Sequence, residues 1–103
     1  MNHIENAETL AIAKIFLEEA GWCQDNFEDA GKVCSSSAIR CASGTLPFSK
    51  DPLYAGAACG FRDALGQWPI SFNDVPGRTK AQVLRAFDKA IKRELKLAAQ
   101  EAE

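Results

Sequence analysis

The chain is predicted to fold as an all-α protein: one small domain of about four helices, with a structured loop before the last. Three observations predict it. Apolar residues recur at three- and four-residue spacing in several segments, the mark of a helix with one buried face. Glycines and polar capping residues bracket those segments. No segment alternates apolar and polar residues at a period of two between turn signals, so no sheet is expected.

The first helix is expected over residues 5–20. Leu10, Ala13, Leu17 and Ala20 follow helical spacing, and Ile12, Ile15 and Phe16 widen the apolar face. Asn6 is the expected cap and Gly21 the stop. Trp22 to Gly31 reads as a polar connector carrying Asp25, Glu28 and Asp29. A short helix over 34–43 follows, with Cys34, Ala38, Ile39 and Ala42 inward and Gly44 as its end. Ser35, Ser36 and Ser37 weaken that helix, because their hydroxyls compete for backbone hydrogen bonds. Asp51-Pro52 places a capping carboxylate before a proline at the first helical position, so the third helix is expected over 52–65. Its inward set is Leu53, Tyr54, Ala57, Ala58, Phe61 and Leu65, and Gly66 closes it. Gly56 and Gly60 cost helix propensity, roughly 1 kcal/mol each against alanine, which points to close packing of another backbone there. Gln67 to Arg78 is the loop. Thr79 and Gln82 match a capping box opening the last helix, over 79–98, whose inward stripe is Val83, Leu84, Phe87, Ala90, Ile91, Leu95 and Ala98. Leu10, Phe16, Leu17, Tyr54, Phe61, Leu65, Val83, Phe87 and Ile91 should dominate the core, with Trp22 and Trp68 bracing helix ends.

The whole of residues 1–103 is read as one domain, ordered over about 5–98. A hydrophobic share of 47% supplies a core without help from a metal. The net charge of −2 argues against general nucleic-acid binding. No apolar run is long enough for a membrane span, and the acidic start lacks the basic-then-apolar order of an export signal, so a cytoplasmic home is expected. Cys23, Cys34, Cys41 and Cys59 are then expected as free thiols. A Cys23–Cys34 disulfide across the connector is the less favoured alternative.

Three strings carry a resemblance. GWCQ follows the first helix, GKVCSSSAI opens the second, and SFNDVPGRTKAQVLRAFDKAI runs from the loop into the last. Their order and spacing resemble a family of small uncharacterised proteins of bacterial and bacteriophage genomes. That pattern reads glycine-tryptophan-cysteine, then glycine-x-x-cysteine before an alanine-rich helix. It closes with tryptophan-asparagine-aspartate, a proline-glycine-arginine-threonine turn and a valine-rich helix. Phe72 stands where the pattern has tryptophan, and Ser35 to Ser37 where it has small apolar residues. The resemblance implies an α-helical domain and a phage or bacterial setting, and it implies no activity.

The cysteines lack the close pairs that structural zinc uses, and His3 is the sole histidine, so no metal and no cofactor are expected. A thiol nucleophile needs a base, and none stands beside Cys34, its best candidate at a helix start. Asn73, Asp74, Arg78 and Thr79 gather at a helix start, where free N–H groups can hold an anion. The preferred reading is local, with Asn73 and Asp74 bonded to turn backbone and Thr79 capping; the alternative is a ligand or partner surface. Arg85, Lys89, Lys92, Arg93 and Lys96 form a basic side of the last helix, read first as solvated and second as an interface.

Three functions follow in order. The first is a protein-binding or regulatory accessory module with a protein partner, and no membrane partner. The second is nucleic-acid binding through the basic last helix, which is possible but not favoured. The third is a small-molecule or phosphate binder, or an enzyme, at residues 73–79, with enzyme activity the weaker expectation. Self-association through a long apolar face on the first or third helix is open.

Overall fold

The structure, a computed structural model, describes residues 3–44 and 52–101. Five helices and one small hairpin are ordered along the chain as α1 (His3–Ala20), β1 (Glu28–Asp29), β2 (Lys32–Val33), α2 (Ser35–Ala42), α3 (Pro52–Leu65), α4 (Pro69–Asn73) and α5 (Lys80–Glu101). The predicted all-α class holds, with additions at both connectors.

The 22–31 connector is a hairpin and not only a polar link. Glu28 pairs with Val33 and Asp29 with Lys32, antiparallel. Ala30 and Gly31 between them have φ of 51° and 84°, the positive values that a two-residue hairpin turn requires. Strands of two residues are too short to show alternation. Trp22 adds a parallel bridge to Val33. Within the 67–78 loop, Pro69 at the first turn starts the five-residue α4 after Trp68. That is too short for periodicity to reveal.

α1 is the central helix, packed on α5, α2 and α3. It runs antiparallel to α5: Asn6 meets Glu94, Lys14 pairs with Asp88, and the Lys80 amine reaches the Glu18 carbonyl. Leu10, Leu17, Phe61, Val83 and Phe87 are fully buried, as the stripes predict, while Tyr54, Leu65 and Ile91 are partly buried against that core. Phe61 receives Phe72 at 5.6 Å and Phe87 at 5.2 Å, both edge-on, which joins α3, α4 and α5. Phe16 is a correction: it is 38% exposed and lies outside the buried cluster. Leu95, placed in the inward stripe, is likewise exposed.

Helix ends follow the local signals in part. Gly21, Gly44 and Gly66 end α1, α2 and α3 at positive φ. Thr79 and Gln82 form the capping box, each side chain bonded to the other's backbone N–H at 3.2 and 3.0 Å. Asn6 is not a cap. The helix already begins at His3, and Asn6 is buried in its first turns. The α2 serines prove structural: Ser35 and Ser36 are buried and bonded to Asn73 and Tyr54. The expected Asp51 cap lies outside the described residues.

Candidate functional site

Asn73 ends α4 with no exposed surface. Its Oδ1 accepts from the Trp22 indole (2.7 Å), the Ser35 backbone N–H (2.9 Å) and the Ser35 hydroxyl (2.7 Å). Its Nδ2 donates to the Cys23 carbonyl (3.0 Å) and to Asp74 Oδ1 (2.8 Å). Gln24 donates to the Asn73 and Val75 carbonyls, both at 3.0 Å, and the Asp25 N–H donates to Asp74 Oδ1 at 3.0 Å. The GWCQ, GKVCSSS and NDVPGRT strings therefore meet at one amide. Both of its protons and its carbonyl oxygen are engaged, so it is spent on holding three chain segments together. The local reading of this residue needs correcting in one respect: apart from Asp74, its side-chain partners lie across the fold and not in its own turn.

Asp74 is half-buried and borders a shallow recess of about 180 Å³ with Asp25, Asn26, Phe27 and Ile70. Arg78 points to the other side. Its Nε donates to the Phe72 carbonyl at 2.9 Å and its guanidinium stacks on the Phe72 ring at 3.7 Å. Thr79 is spent on the cap. Asn73, Asp74, Arg78 and Thr79 thus share a segment but not a cleft.

Arg78 instead joins Arg85 and Lys89 around a groove of about 260 Å³, floored by Leu65, Phe72 and Ala86 with Gln82 alongside. No carboxylate lines it, and among the described residues neither Arg85 nor Lys89 has an acidic partner. Arg93 is half-buried, and Lys92 and Lys96 continue the exposed side of α5. What this arrangement can do is bind a negatively charged group flanked by apolar surface.

The thiols are all free. Cys34 caps α2, its Sγ accepting from the Ser37 N–H at 3.4 Å. Burial pushes its pKa up against the opposing pull of the Ser37 and Ser36 N–H groups, and burial also pushes Cys23 up. Both effects disfavour a nucleophilic thiolate. Among the described residues no group of three metal-ligating side chains forms, and no helix is long and apolar enough to cross a membrane.

The sequence reading missed one constellation. Glu94 is 1% exposed in the C-terminal half of α5 and is held by the His3 Nδ1 and by Asn6 Nδ2 (3.3 Å); His3 Nε2 also meets Glu101 at 2.8 Å. Gly60 makes room for this carboxylate. A Cβ there would lie 3.0 Å from Glu94 Cδ and within overlap of Oε1, so the close approach at this glycine is to a side chain and not to a backbone. The available signal was polar residues on inward stripes: Glu94 continues Phe87 and Ala90, and Asn6 precedes Leu10 and Ala13.

Fold and site together define a small, mostly helical protein whose most connected polar residue is structural. Residues 1–93 match the family of unknown function DUF6197, and the chain belongs to that family. The match takes in the whole Asn73 network and ends one residue before Glu94. No curated protein and no solved structure matches the chain.

Proposed function

We propose that the chain is a non-enzymatic protein-binding module whose contact is the α3–α4–α5 groove. The occupant is a partner segment that pairs carboxylates with an apolar side chain. One observation carries the reading: Arg78, Arg85 and Lys89 converge without a carboxylate over an apolar floor. Charge complementarity then selects acidic residues, and the floor of Leu65, Phe72 and Ala86 takes the apolar one. Arg78 is pre-oriented by its stack on Phe72, so less side-chain freedom is lost on binding. The resemblance of the motifs supports a regulatory accessory role in a bacterial or phage cytoplasm.

A panel of fluorescein-labelled peptides with Asp/Glu around a Leu or Phe, and the same panel with Lys in place of the acids, tests it by polarisation. Saturable binding to the acidic set is expected, with loss in Arg85→Glu and Lys89→Glu and no change in melting temperature. No binding at about 100 μM in either set overturns it. A salt-sensitive shift of a DNA or RNA oligonucleotide in place of peptide binding transfers the groove to phosphate recognition.

A further inference from the structure

We infer that the outer side of the α1–α5 pair is a self-association face, on which a second copy of this chain docks about a two-fold axis parallel to the two helices. α2 and α3 cover α1 from within, and α3 covers α5. Among the described residues, the opposite side of the pair presents exposed side chains. On α1 it presents Ile4, Ile12 and Ile15, 48%, 45% and 50% exposed, interleaved with the exposed carboxylates of Glu8 and Glu19. On α5 it presents Leu95, 49% exposed, among Arg85, Lys92 and Lys96. Isolated exposed apolar side chains are ordinary, but four on one face are not.

The charges name the occupant. Apart from the Lys14–Asp88 pair that bridges them, one helix of the pair is acidic on this side and its neighbour is basic. A two-fold axis along the helices sets α1 of one copy over α5 of the other, and the same contact is repeated by symmetry. Such an axis keeps each residue at its own level. The level is fixed by Asn6 against Glu94 and Lys14 against Asp88. Glu8 therefore stands level with Lys92. Opposite charges then meet across the interface, and the isoleucines fill the space between them. The other two-fold arrangement sets acidic α1 over α1 and basic α5 over α5, and like charges disfavour it. α1 has 18 residues, so the face is about 27 Å long and two helices, or roughly 20 Å, wide. That is the footprint of an interface at the lower end of the stable class, about 600 Å² from each partner. The contact uses a different face from the proposed peptide groove, apart from Arg85 at its edge, and stands whether or not that groove binds.

Sedimentation velocity of the full chain at about 10 and 100 μM is the test, with circular dichroism to confirm the fold of each variant. A species of twice the 11.2 kDa chain mass is expected at the higher concentration. Ile15→Lys, at a half-exposed position, should return it to monomer. Glu8→Lys or Lys92→Glu alone should weaken the dimer by about tenfold or more, because each reversal acts twice in a two-fold pair. The Glu8→Lys/Lys92→Glu chain should regain most of that loss. A monomer at 100 μM, a dimer indifferent to Ile15→Lys, or a double reversal no better than the worse single one overturns the inference.

Discussion

Replacing Asn73 by alanine removes five side-chain hydrogen bonds at once. The Ser35 hydroxyl can turn elsewhere, and water can reach the half-buried Trp22 indole. The Ser35 N–H and the Cys23 carbonyl stay buried without partners, and each such group costs about 1–3 kcal/mol. With the smaller losses added, the total is about 3–5 kcal/mol. A chain of this length has about 5–15 kcal/mol of stability, so the change removes about a fifth of it or more. At about 4–8 °C per kcal/mol, the melting temperature should fall by roughly 12–40 °C. Urea and thermal unfolding, followed by far-UV circular dichroism and tryptophan fluorescence, measure it. Asn73→Asp is the control. It keeps the acceptor but turns a second oxygen toward the Cys23 carbonyl and the Asp74 carboxylate, so at neutral pH its loss should match that of alanine. A loss below about 1 kcal/mol for Asn73→Ala, at unchanged denaturant slope, would refute the view that this amide holds the three segments together.

Gly60→Ala should destabilise by about 1–3 kcal/mol although alanine is the better helix former, because its methyl meets the Glu94 carboxylate. In a Glu94→Ala background the same change should become neutral or stabilising, read by thermal melts of the four proteins. Thr79→Ala should cost about 1 kcal/mol through the lost cap of α5, seen as a lower urea midpoint. The buried thiols set an alkaline limit. Burial raises Cys34 and Cys23 in the native state, so the unfolded chain ionises first. Their contribution is fully present below the ordinary thiol range and is lost as pH climbs through the raised native values. Urea midpoints between pH 7 and 10 should therefore fall, and less steeply in Cys34→Ala.

Much of the architecture was legible because its signals are local. Caps, stop glycines and the stripes of α3 and α5 depend on residues within a turn of one another, and Thr79 with Gln82 is such a case. The hairpin and α4 escaped because two and five residues do not make a period. The deeper omissions are matters of distance along the chain. Asn73 reads as a turn residue, since its partners Trp22 and Ser35 are 51 and 38 positions away. The sequence drew attention to the right segment, Ser71 to Leu84, yet it grouped Asn73 with Arg78 when the fold sends one inward and the other to a groove. Phe16 was assigned to the core because α1 carries apolar residues on nearly every side, and spacing alone does not choose among them.

That ambiguity of α1 has a physical resolution in the two polar clusters. Turned about its axis, α1 could bury Ile12, Ile15 and Phe16 in place of Leu10, Ala13 and Leu17, with at least as much apolar area removed from water. Hydrophobic burial is non-directional and separates these states poorly. Hydrogen bonds are directional, and buried ones are costly to leave unmade. Near its start, α1 is fixed by His3 and Asn6 to Glu94, in the space left by Gly60. Beyond its end, it is fixed by Trp22 and Cys23 to Asn73. A rotated α1 would strand the Glu94 carboxylate in the core and draw Trp22 off its acceptor. The polar clusters thus decide which side of an otherwise indifferent helix faces inward. The same choice leaves Ile4, Ile12 and Ile15 outside, so the apolar face offered to a second copy follows from how the interior is pinned.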